Sequence, residues 1–484
     1  MPLQSRPMSH ADKVVIIGLD AAPPELVFDR WLDELPTIKW LTGHGLYGEL
    51  ESTIPSITCP AWASMVTGKD PGRLGIYGFR NRTRYDYSEM AFVDSGWVRE
   101  ETLWDILSRY GRRSILVGIP PSYPPRAING RMVSCFMAGD SPDYTYPREF
   151  RTEVEALTGG YIPDVKDFRS GDRGLILKTV YEMTQRRFRL AKTLLSASGG
   201  QDWDLFMMVE MGTDRLQHAF WRYLDEAHPS YCHGTEYGDA ILDYYKYLDR
   251  ELGEILTLIG GRATLLVVSD HGAKRMEGGI CVNEWLLANG YLRLLEYPRE
   301  ITSFQDLKVD WRRTVAWAHS GYYGRVFLNV RGREPMGLIP PQDYERIRRE
   351  LAQGLEDIRN ECGQRINTRA FRPEDIYPER RGIAPDLLVY FGDQYYRSIG
   401  SVGHKKFWTR ENDNGFDYAN HSQYGIFILY NKDLMNSPVG ARHAVPLGRR
   451  PAHILDVAPT VLGCMGLEVP VDMKGNIITG ANIP

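Results

Sequence analysis

Aspartate and histidine side chains lie near the ends of short apolar segments in this sequence of 484 residues. The six residues of this kind are Asp20, Asp214, His218, Asp270, His271 and His421. Asp214 and His218 are four residues apart, so on a helix both would project from the same face. Carboxylates combined with imidazoles suit zinc, or another transition ion such as manganese, better than calcium. The set is large enough for two divalent ions, which can clamp the attacking and leaving oxygens of a phosphoryl displacement.

Thr58 is the candidate nucleophile. It precedes Cys59 and Pro60 and then a helix-compatible stretch, AWASMVTG. A hydroxyl at a helix N-terminus meets free backbone N–H groups and the positive end of the helix dipole, which favour an alkoxide and a developing phosphoryl charge. Two other interpretations stay open. In the first, Thr58 is a plain helix cap. In the second, Cys59 or Ser56 is the nucleophile, although no basic residue flanks Cys59 in the sequence to lower its pKa.

The elements that would position these residues alternate between strands and helices. Short apolar runs predict buried strands at residues 14–20, 114–119, 204–210, 263–272 and 424–430. Amphipathic stretches predict long helices at residues 174–198 and 239–259. This alternation predicts an α/β fold with a mainly parallel sheet, in which ligands gather at the carboxyl ends of the strands.

The sequence pattern changes after about residue 275, where charged residues become frequent and the alternation of strands and helices ends. Helices are predicted there at 282–290 and 343–358. Core-like sequence returns after about residue 400 and ends in a helical stretch at 452–466. We therefore predict a catalytic core formed by residues 1–275 together with 401–484. Residues 276–400 would form an inserted cap that shapes the substrate pocket.

Composition limits the partners. Lys and Arg number 58 against 62 Asp and Glu, a formal charge of -4, which argues against polymeric nucleic acid or an anionic membrane as the partner. The six cysteines form no CxxC pair, and the N-terminal stretch is polar, so we predict free thiols and a cytoplasmic protein. No apolar run is long enough to span a bilayer. The oligomeric state stays open.

Several segments together resemble a known family. They include VVIIGLDAAPPEL, IPSITCPAWASMVTGKDPGRLGIYGF, MGTDRLQHAFWRYLD, LLVVSDHG, IAPDLLVYFGDQY and ANHSQYGIFIL. In order and spacing they resemble the type I phosphodiesterase and nucleotide pyrophosphatase branch of the alkaline-phosphatase superfamily, and within it the predicted phosphohydrolase or phosphomutase group. The resemblance implies a three-layer α/β sandwich with an inserted cap and helices on both faces of a central sheet.

The resemblance also implies two ligand sets. One metal would be held by Asp20, Thr58, Asp270 and His271. The second would be held by Asp214, His218 and His421. Thr58 would attack phosphorus, form a phospho-threonine intermediate and be released by water. The implied activity is the cleavage of a small, nucleotide-like phosphodiester or phosphoanhydride with two divalent metals, zinc being favoured and manganese the alternative.

One position departs from the family pattern. Nucleotide pyrophosphatases usually carry an Asn after the nucleophile helix, and Phe79 occupies that place here. Asn81 is a nearby substitute, and Lys69 is a further candidate phosphate contact. Arg80 and Arg82 are candidates of the same kind, with solvated surface charge as the other interpretation. Further candidates, for which local structure or core packing is the alternative, are His319, His404, Trp317, Tyr322 and Tyr323.

Other activities remain open at this stage. A phosphomonoesterase, a phosphonate hydrolase or a phosphomutase would use the same metals and nucleophile. A catalytically inactive metal-binding protein of assembly or sensing is an alternative of another class. A sulfatase is disfavoured, because sulfatases carry the pattern C/S-x-P-x-R. Here the nucleophile position is Thr58, and Cys59-Pro60 is followed by Ala61 and Trp62, with no Arg.

Overall fold

The computed structural model describes residues 13–87, 90–196, 203–360, 362–410, 413, 415–432 and 449–479. Its strands, numbered β1 to β20 in chain order, are Val14–Leu19, Leu46–Glu51, Arg80–Asn81, Ala91–Phe92, Ser114–Val117, Gly130–Val133, Thr145–Tyr146, Leu205–Glu210, Thr264–Val268, Gly272–Arg275, Gly278–Cys281, Ala316–His319, Gly324–Leu328, Arg369–Phe371, Leu387–Tyr390, Tyr396–Ile399, Trp408–Thr409, Ala419–Ser422, Tyr424–Tyr430 and Ala452–His453. Its α-helices, numbered α1 to α12 in the same way, are Pro36–His44, Thr58–Thr67, Pro71–Leu74, Leu103–Arg109, Phe150–Thr158, Arg173–Leu195, Gly212–Leu224, Ala240–Ile259, Val282–Ala288, Tyr344–Glu356, Pro373–Ile376 and Val457–Cys464.

A nine-stranded sheet forms the centre, in the order β20-β2-β19-β9-β1-β8-β5-β6-β7. Strand β1 lies between β8 and β9 and pairs with both in parallel. All strands of this sheet run in one direction except β19 and β7, which are antiparallel to their neighbours. Strands β1, β8 and β9 are buried along their whole length, as expected for parallel strands covered on both faces. The predicted mainly parallel sheet is confirmed.

Helices surround this sheet, as the predicted α/β fold requires. Helix α6 packs on α5, α7 and α8, and α1 packs on α8. Helix α2 packs on α3 and on α12. The predicted helix at 239–259 is α8, and the one at 174–198 is α6, which ends at Leu195. Its last two predicted positions, 197 and 198, lie outside the described residues. No helix within the described ranges is long and apolar enough to cross a bilayer.

The region predicted as a cap contains more strands than the sequence indicated. Helices α9 and α10 lie where helices were predicted. Around them, strands β12, β13, β15 and β14 form an antiparallel sheet, and β16, β11 and β17 form a three-stranded one. These strands have only two to five residues each, too few for an alternating pattern to be read from sequence. A separate buried cluster that includes Trp285, Trp317 and Phe327 fills this region. The boundaries 276 and 400 stay a prediction.

Asp249 on α8 caps the start of α1. Its Oδ2 accepts the backbone N–H of Thr37 at 3.0 Å and its Oδ1 that of Ile38 at 2.8 Å. The residue before α1 is Leu35, whose side chain makes no capping hydrogen bond. The carboxylate is buried and faces the positive end of the helix dipole. Asp249 therefore joins two helices that are about two hundred residues apart in the chain.

We expect Asp249→Ala to destabilise the fold by about 1–3 kcal/mol, because two buried N–H groups lose their acceptor. The thermal unfolding midpoint, followed by circular dichroism, measures the effect. Asp243→Ala is the matched control, since Asp243 is on the same helix but exposed, and its midpoint should stay near that of the wild type. Equal midpoints for the two variants would contradict the capping role of Asp249.

Candidate two-metal centre

Three neighbouring strands deliver five of the six candidate ligands. Asp20 follows β1, and Asp270 and His271 lie between β9 and β10. Asp214 and His218 lie in the first two turns of α7, which follows β8. Because β8, β1 and β9 are adjacent and parallel, their carboxyl ends meet at one edge of the sheet, where ligands collect in such folds.

The sixth ligand, His421, comes from a small separate sheet. It lies on β18, which pairs antiparallel with β10 and places His421 opposite Ala273. The strand predicted at 424–430 is β19, which begins at Tyr424, so His421 lies on the separate short strand before it. The pairing of β10 with β18 stacks the His421 ring on the His271 ring, with centroids 3.9 Å apart and planes inclined by 16°.

The ligand atoms form two overlapping groups. Asp20, Asp270 and His271 offer atoms that all lie within 4.8 Å of one another, and so do Asp214, His271 and His421. His218 adjoins the second group, with its Nε2 3.1 Å from Asp214 Oδ1. His271 belongs to both groups, whereas the resemblance assigned it to the first site only and gave the second site His218.

Each of the three carboxylates directs one oxygen into the centre. Trp62 Nε1 donates to Asp20 Oδ2 at 2.8 Å, the Ala21 N–H donates to Asp270 Oδ1 at 3.3 Å, and Arg215 donates to Asp214 Oδ2. Asp20 Oδ1, Asp270 Oδ2 and His271 Nε2 are buried and have no hydrogen-bond partner among the described residues, while Asp214 Oδ1 faces His218 Nε2 at 3.1 Å. Buried polar atoms normally have partners, so this convergence fits bound cations.

The histidines are oriented in the same manner. His271 Nδ1 is 3.0 Å from the Gly272 carbonyl oxygen, His421 Nδ1 is 3.0 Å from that of Ser56, and His218 Nδ1 is 2.7 Å from Asp417 Oδ1. An acceptor at Nδ1 fixes the proton there and leaves the Nε2 lone pair for a metal. All three rings can therefore present Nε2 to the centre.

The charges of the centre also fit cations. Burial, and then the neighbouring Asp214, raises the pKa of Asp20 well above its usual value, and burial followed by Asp20 does the same to the pKa of Asp270. Burial lowers the pKa of His271 to about 4, so its ring is neutral. Carboxylates that resist ionisation beside neutral imidazoles become stable ligands once a divalent cation supplies the opposite charge.

His218 differs from the other two histidines. Burial alone would lower its pKa, but Asp417 and Asp214 outweigh burial and raise that pKa to about 9. The same negative field that favours a proton on His218 favours a metal cation at its Nε2, because both carry positive charge.

Thr58 begins helix α2 and is buried. Its neighbours on both sides touch the centre. The Ser56 carbonyl oxygen accepts from His421, and Trp62, one turn further along α2, donates to Asp20. Thr58 and Trp62 are four residues apart and share one face of the helix. Thr58 therefore lies between two residues that contact the ligands, and its role as the nucleophile stays a prediction.

The competing nucleophiles are placed less favourably. Burial, followed by the charges of Cys135 and Asp20, raises the pKa of the Cys59 thiol well above its usual value, which disfavours the reactive thiolate. The Ser56 hydroxyl is engaged by Gln394, whose Nε2 donates to it at 2.9 Å. Among these three residues, Thr58 fits the nucleophile best.

The candidate substrate contacts lie in different places. Phe79 packs on a tyrosine-rich cluster that includes Ile57, the residue before Thr58. The Asn81 side chain is buried and closes a local turn, accepting from Tyr77 N at 2.8 Å and donating to the Gly78 oxygen at 3.0 Å. Lys69 lies beyond the far end of α2, whose ten residues span about 15 Å, and its Nζ pairs with Asp472 at 2.5 Å. The structure does not bring Lys69 to the centre.

The other cap and loop candidates are engaged elsewhere. Arg82 pairs with Glu334 at 3.2 Å, and Arg80 lies over the Phe92 ring at 3.8 Å. The His404 ring bonds Ser401 at 2.9 Å.

The three aromatic candidates lie in three different places. Tyr322 stacks on His421 with ring centroids 4.3 Å apart, so it packs against ligands. Trp317 lies in the buried cluster of the cap, and Tyr323 lies in the cluster that contains Phe79.

Three residues that support the ligands were not singled out from the sequence. Trp62 and Arg215 each bond a ligand carboxylate, and Asp417 holds His218. Asp417 in turn accepts from Tyr322 Oη and from Arg169 Nε, each at 2.9 Å. Arg215 stands directly after Asp214 in the chain, which is a signal that spacing could have found. The partner of Asp417 lies 199 positions away, so no local pattern reveals it.

The fold and this centre together define a metal-dependent α/β hydrolase of phosphoesters. A family profile described as type I phosphodiesterase / nucleotide pyrophosphatase matches residues 14–417. The chain belongs to that family, as its sequence resemblance indicated, and its ligand-rich centre fits the divalent metals on which the family depends. No curated protein matches the sequence.

Solved structures share the fold. Human ectonucleotide pyrophosphatase/phosphodiesterase 5 is 12% identical and superposes with a TM-score of 0.54 over 95% of this chain and 96% of its own. The murine protein in complex with AMP is also 12% identical, with a TM-score of 0.51 over 95% and 96% of the two chains. Phosphonoacetate hydrolase from Sinorhizobium meliloti with phosphonoformate is 17% identical, with a TM-score of 0.59 over 96% and 98%. These likenesses confirm the alkaline-phosphatase-like architecture.

We expect Asp417→Ala to weaken zinc binding by about 10- to 100-fold, because His218 loses the acceptor that fixes its ring. Titration of the protein with zinc against a competing chelator gives the affinity directly. Asp417→Asn retains an acceptor oxygen and should lose less.

Asp357→Ala is the control for this experiment, since Asp357 is exposed and pairs with Arg365 on the surface. Its zinc affinity should equal that of the wild type. If Asp417→Ala also binds zinc like the wild type, Asp417 does not orient His218.

Proposed function

We propose that the protein is a two-metal phosphodiesterase or pyrophosphatase that cleaves a small, nucleotide-like ester or anhydride through a phospho-threonine at Thr58. One observation carries the proposal. Buried carboxylate oxygens with no hydrogen-bond partner among the described residues converge with imidazole nitrogens on two cation positions. The helix that starts at Thr58 contacts the first group through Trp62, and Ser56, two residues before Thr58, contacts the second group. Family membership supports hydrolysis of a phosphoester, and the finer substrate and intermediate are our proposal.

The proposed chemistry begins at the Thr58 hydroxyl. Its oxygen forms a bond to phosphorus while its proton is lost and the bond from phosphorus to the leaving-group oxygen breaks. Helix α2 directs its positive end toward this reaction. The N–H groups of its first turn have no intrahelical acceptor and are available to a phosphoryl oxygen, although Pro60, at the third position, contributes none. Water then cleaves the phospho-threonine and restores the hydroxyl.

The ligand residues would hold two divalent ions, one at Asp20, Asp270 and His271 with Thr58, and the other at Asp214, His218 and His421. Bound there, such ions supply charge neutralisation and lower the pKa of a hydroxyl or water. The mixture of carboxylate oxygens and imidazole nitrogens favours zinc, and manganese is the alternative.

The substrate pocket is proposed to include the aromatic cluster beside Thr58. Phe79 offers a flat apolar surface there, where relatives with an Asn would offer a hydrogen bond. Asn81 supports the turn that carries Phe79 and would act indirectly. We no longer propose Lys69 as a phosphate contact, because it lies beyond the opposite end of α2 and pairs there with Asp472.

A phosphonate hydrolase is the second candidate, because phosphonoacetate hydrolase shares the fold over nearly the whole chain. A phosphomonoesterase or a phosphomutase would use the same intermediate and differ in the leaving group or in the acceptor. The hypothesis of a catalytically inactive assembly or sensing protein gives no reason for a hydroxyl residue, Thr58, at the start of the helix beside the candidate ligands. All six cysteines are free thiols, which fits the proposal that the protein works in the cytoplasm.

We expect Thr58→Ala to lose at least about a thousandfold in kcat, because the intermediate cannot form. The six acids and histidines remain in this variant, so metal analysis should still find two ions per chain. Rapid quenching of the wild type and mass spectrometry should detect a phosphoryl group on the peptide that contains Thr58.

Cys59→Ala is the matched control at the next position and should keep its turnover, since a buried thiol with a raised pKa is a poor nucleophile. Thr58→Ser, which retains a hydroxyl, should keep part of the activity. Full activity in Thr58→Ala would exclude Thr58 as the nucleophile.

Substrate class is tested with a matched pair of esters. We expect kcat/KM for bis-p-nitrophenyl phosphate to exceed that for p-nitrophenyl phosphate by at least about tenfold, a difference of roughly 1.4 kcal/mol in transition-state binding. Both esters have the same leaving group, so the comparison isolates the second substituent on phosphorus. A preference for the monoester would favour the phosphomonoesterase, and turnover of phosphonoacetate alone would favour the second candidate.

A further inference from the structure

A cavity of about 450 Å³ lies apart from the metal ligands, between the cap hairpin β12–β13 and the core segment that follows Phe79. Its lining includes Arg80 from the core and His319 and Arg325 from the hairpin, with Phe304 and Met90 as apolar neighbours. None of the six candidate ligands is among its described lining residues. A volume of this size is typical of small-molecule sites, which range from roughly 300 to 1,000 Å³.

Arg325 is a buried cation that pairs with no carboxylate of the described residues. Its Nη1 donates to the Arg80 carbonyl oxygen at 2.6 Å and its Nη2 to that of Ser320 at 3.2 Å. Within the described ranges, no carboxylate oxygen lies within 4.0 Å of this guanidinium, whereas buried Arg215 pairs with Asp164 and buried Arg348 with Glu374. Burial lowers the pKa of Arg325, as expected for a charge that lacks its counter-ion.

His319 faces Arg325 across the hairpin, where the two residues are paired in register. Burial, and then Arg325 and Arg82, lowers the pKa of His319 to about 3, so its ring is neutral. The ring packs edge-on to Phe304 with centroids 5.5 Å apart. In the part of the chain that the structure describes, neither ring nitrogen makes a hydrogen bond, so an N–H donor is available to the cavity.

One acid also lines the cavity, and its charge is already balanced. Asp413 Oδ1 lies 3.2 Å from Arg397 Nη2, and Asp413 Oδ2 accepts from the Ser320 hydroxyl at 3.0 Å. Asp413 therefore faces Arg397 and does not neutralise Arg325. Among the described residues, the guanidinium of Arg325 bonds two carbonyl oxygens and the Met90 sulfur but no carboxylate, and it borders the cavity.

We propose that this cavity binds the carboxylate or phosphate group of a small molecule, with Arg325 and His319 as donors and Phe304 and Met90 against its apolar part. A guanidinium offers parallel N–H groups that match two oxygens of such an anion. The anion belongs either to the distal end of the substrate, which rests on the proposed function, or to a separate effector. The hairpin favours communication in both cases, because Tyr322 in its turn stacks on His421.

The first test is calorimetric titration of the full chain with benzoate, which presents a carboxylate on an apolar ring and binds without turnover. We expect Arg325→Met to weaken binding at least tenfold, and Arg325→Lys to weaken it less, because an ammonium keeps the charge but not the fork. Arg346→Met removes an exposed arginine of the same cap and should bind benzoate as the wild type does.

A second test needs no variant. Crystals of the wild type soaked with 4-bromobenzoate should give a bromine anomalous peak in the cavity, with the carboxylate at Arg325. The proposal is overturned if the peak lies only elsewhere, or if benzoate binds wild type and Arg325→Met alike or does not bind at all.

A pair of diesters then identifies the source of the anion. One diester carries a p-carboxyphenyl group and the other carries the methyl ester of that group, so the two substrates differ in one distal charge. A lower KM for the carboxylate that disappears in Arg325→Met assigns the cavity to the substrate. Equal KM values with benzoate binding intact assign it to an effector. Because benzoate binding does not depend on hydrolysis, failure of the proposed function would leave the first two tests decisive.

Discussion

Three carboxylates that are almost wholly shielded from water lie beside the same histidine, His271, and the surrounding structure keeps them in place. Burying even one ion costs several kcal/mol unless it is paired, so Asp20, Asp214 and Asp270 cannot be accommodated by packing alone. One oxygen of each is held by a protein donor, which fixes its direction. The other oxygen is left for a cation, which converts an unfavourable cluster into a binding site.

The order of strands in the sheet brings these carboxylates together. Parallel strands β9, β1 and β8 end side by side, and each supplies an acid at or just beyond its carboxyl end. Helix α7 then presents His218 one turn after Asp214, and helix α2 brings Thr58 to the same edge with its positive end forward. The partners of these groups are themselves held, as Asp164 holds Arg215 and as Arg169 and Tyr322 hold Asp417. Orientation therefore extends two contacts outward from the metals.

Much of the fold and of the centre could be predicted because the relevant signals are local. The fully buried strand VVIIGL is a continuous apolar run with an acid at its end, and Asp214 with His218 shows helical spacing. Other features depend on contacts between distant segments. The strand that carries His421 has four residues and exists because β10 pairs with it. Lys69 follows the nucleophile helix in sequence, yet Asp472 engages it at the end of α2 away from Thr58, which no local pattern encodes.

The pairing of β10 with β18 joins the middle of the chain to a segment near its end. His421 is thus the last of the ligands to leave the ribosome, some two hundred residues after Asp214 and four hundred after Asp20. Until it is made, the second cation position lacks one of its three candidate ligands, and a nascent chain presents the carboxylates without the full set. The second cation position is thereby completed only when β18 pairs with β10, so an ion bound there would stabilise this pairing between distant segments of the chain.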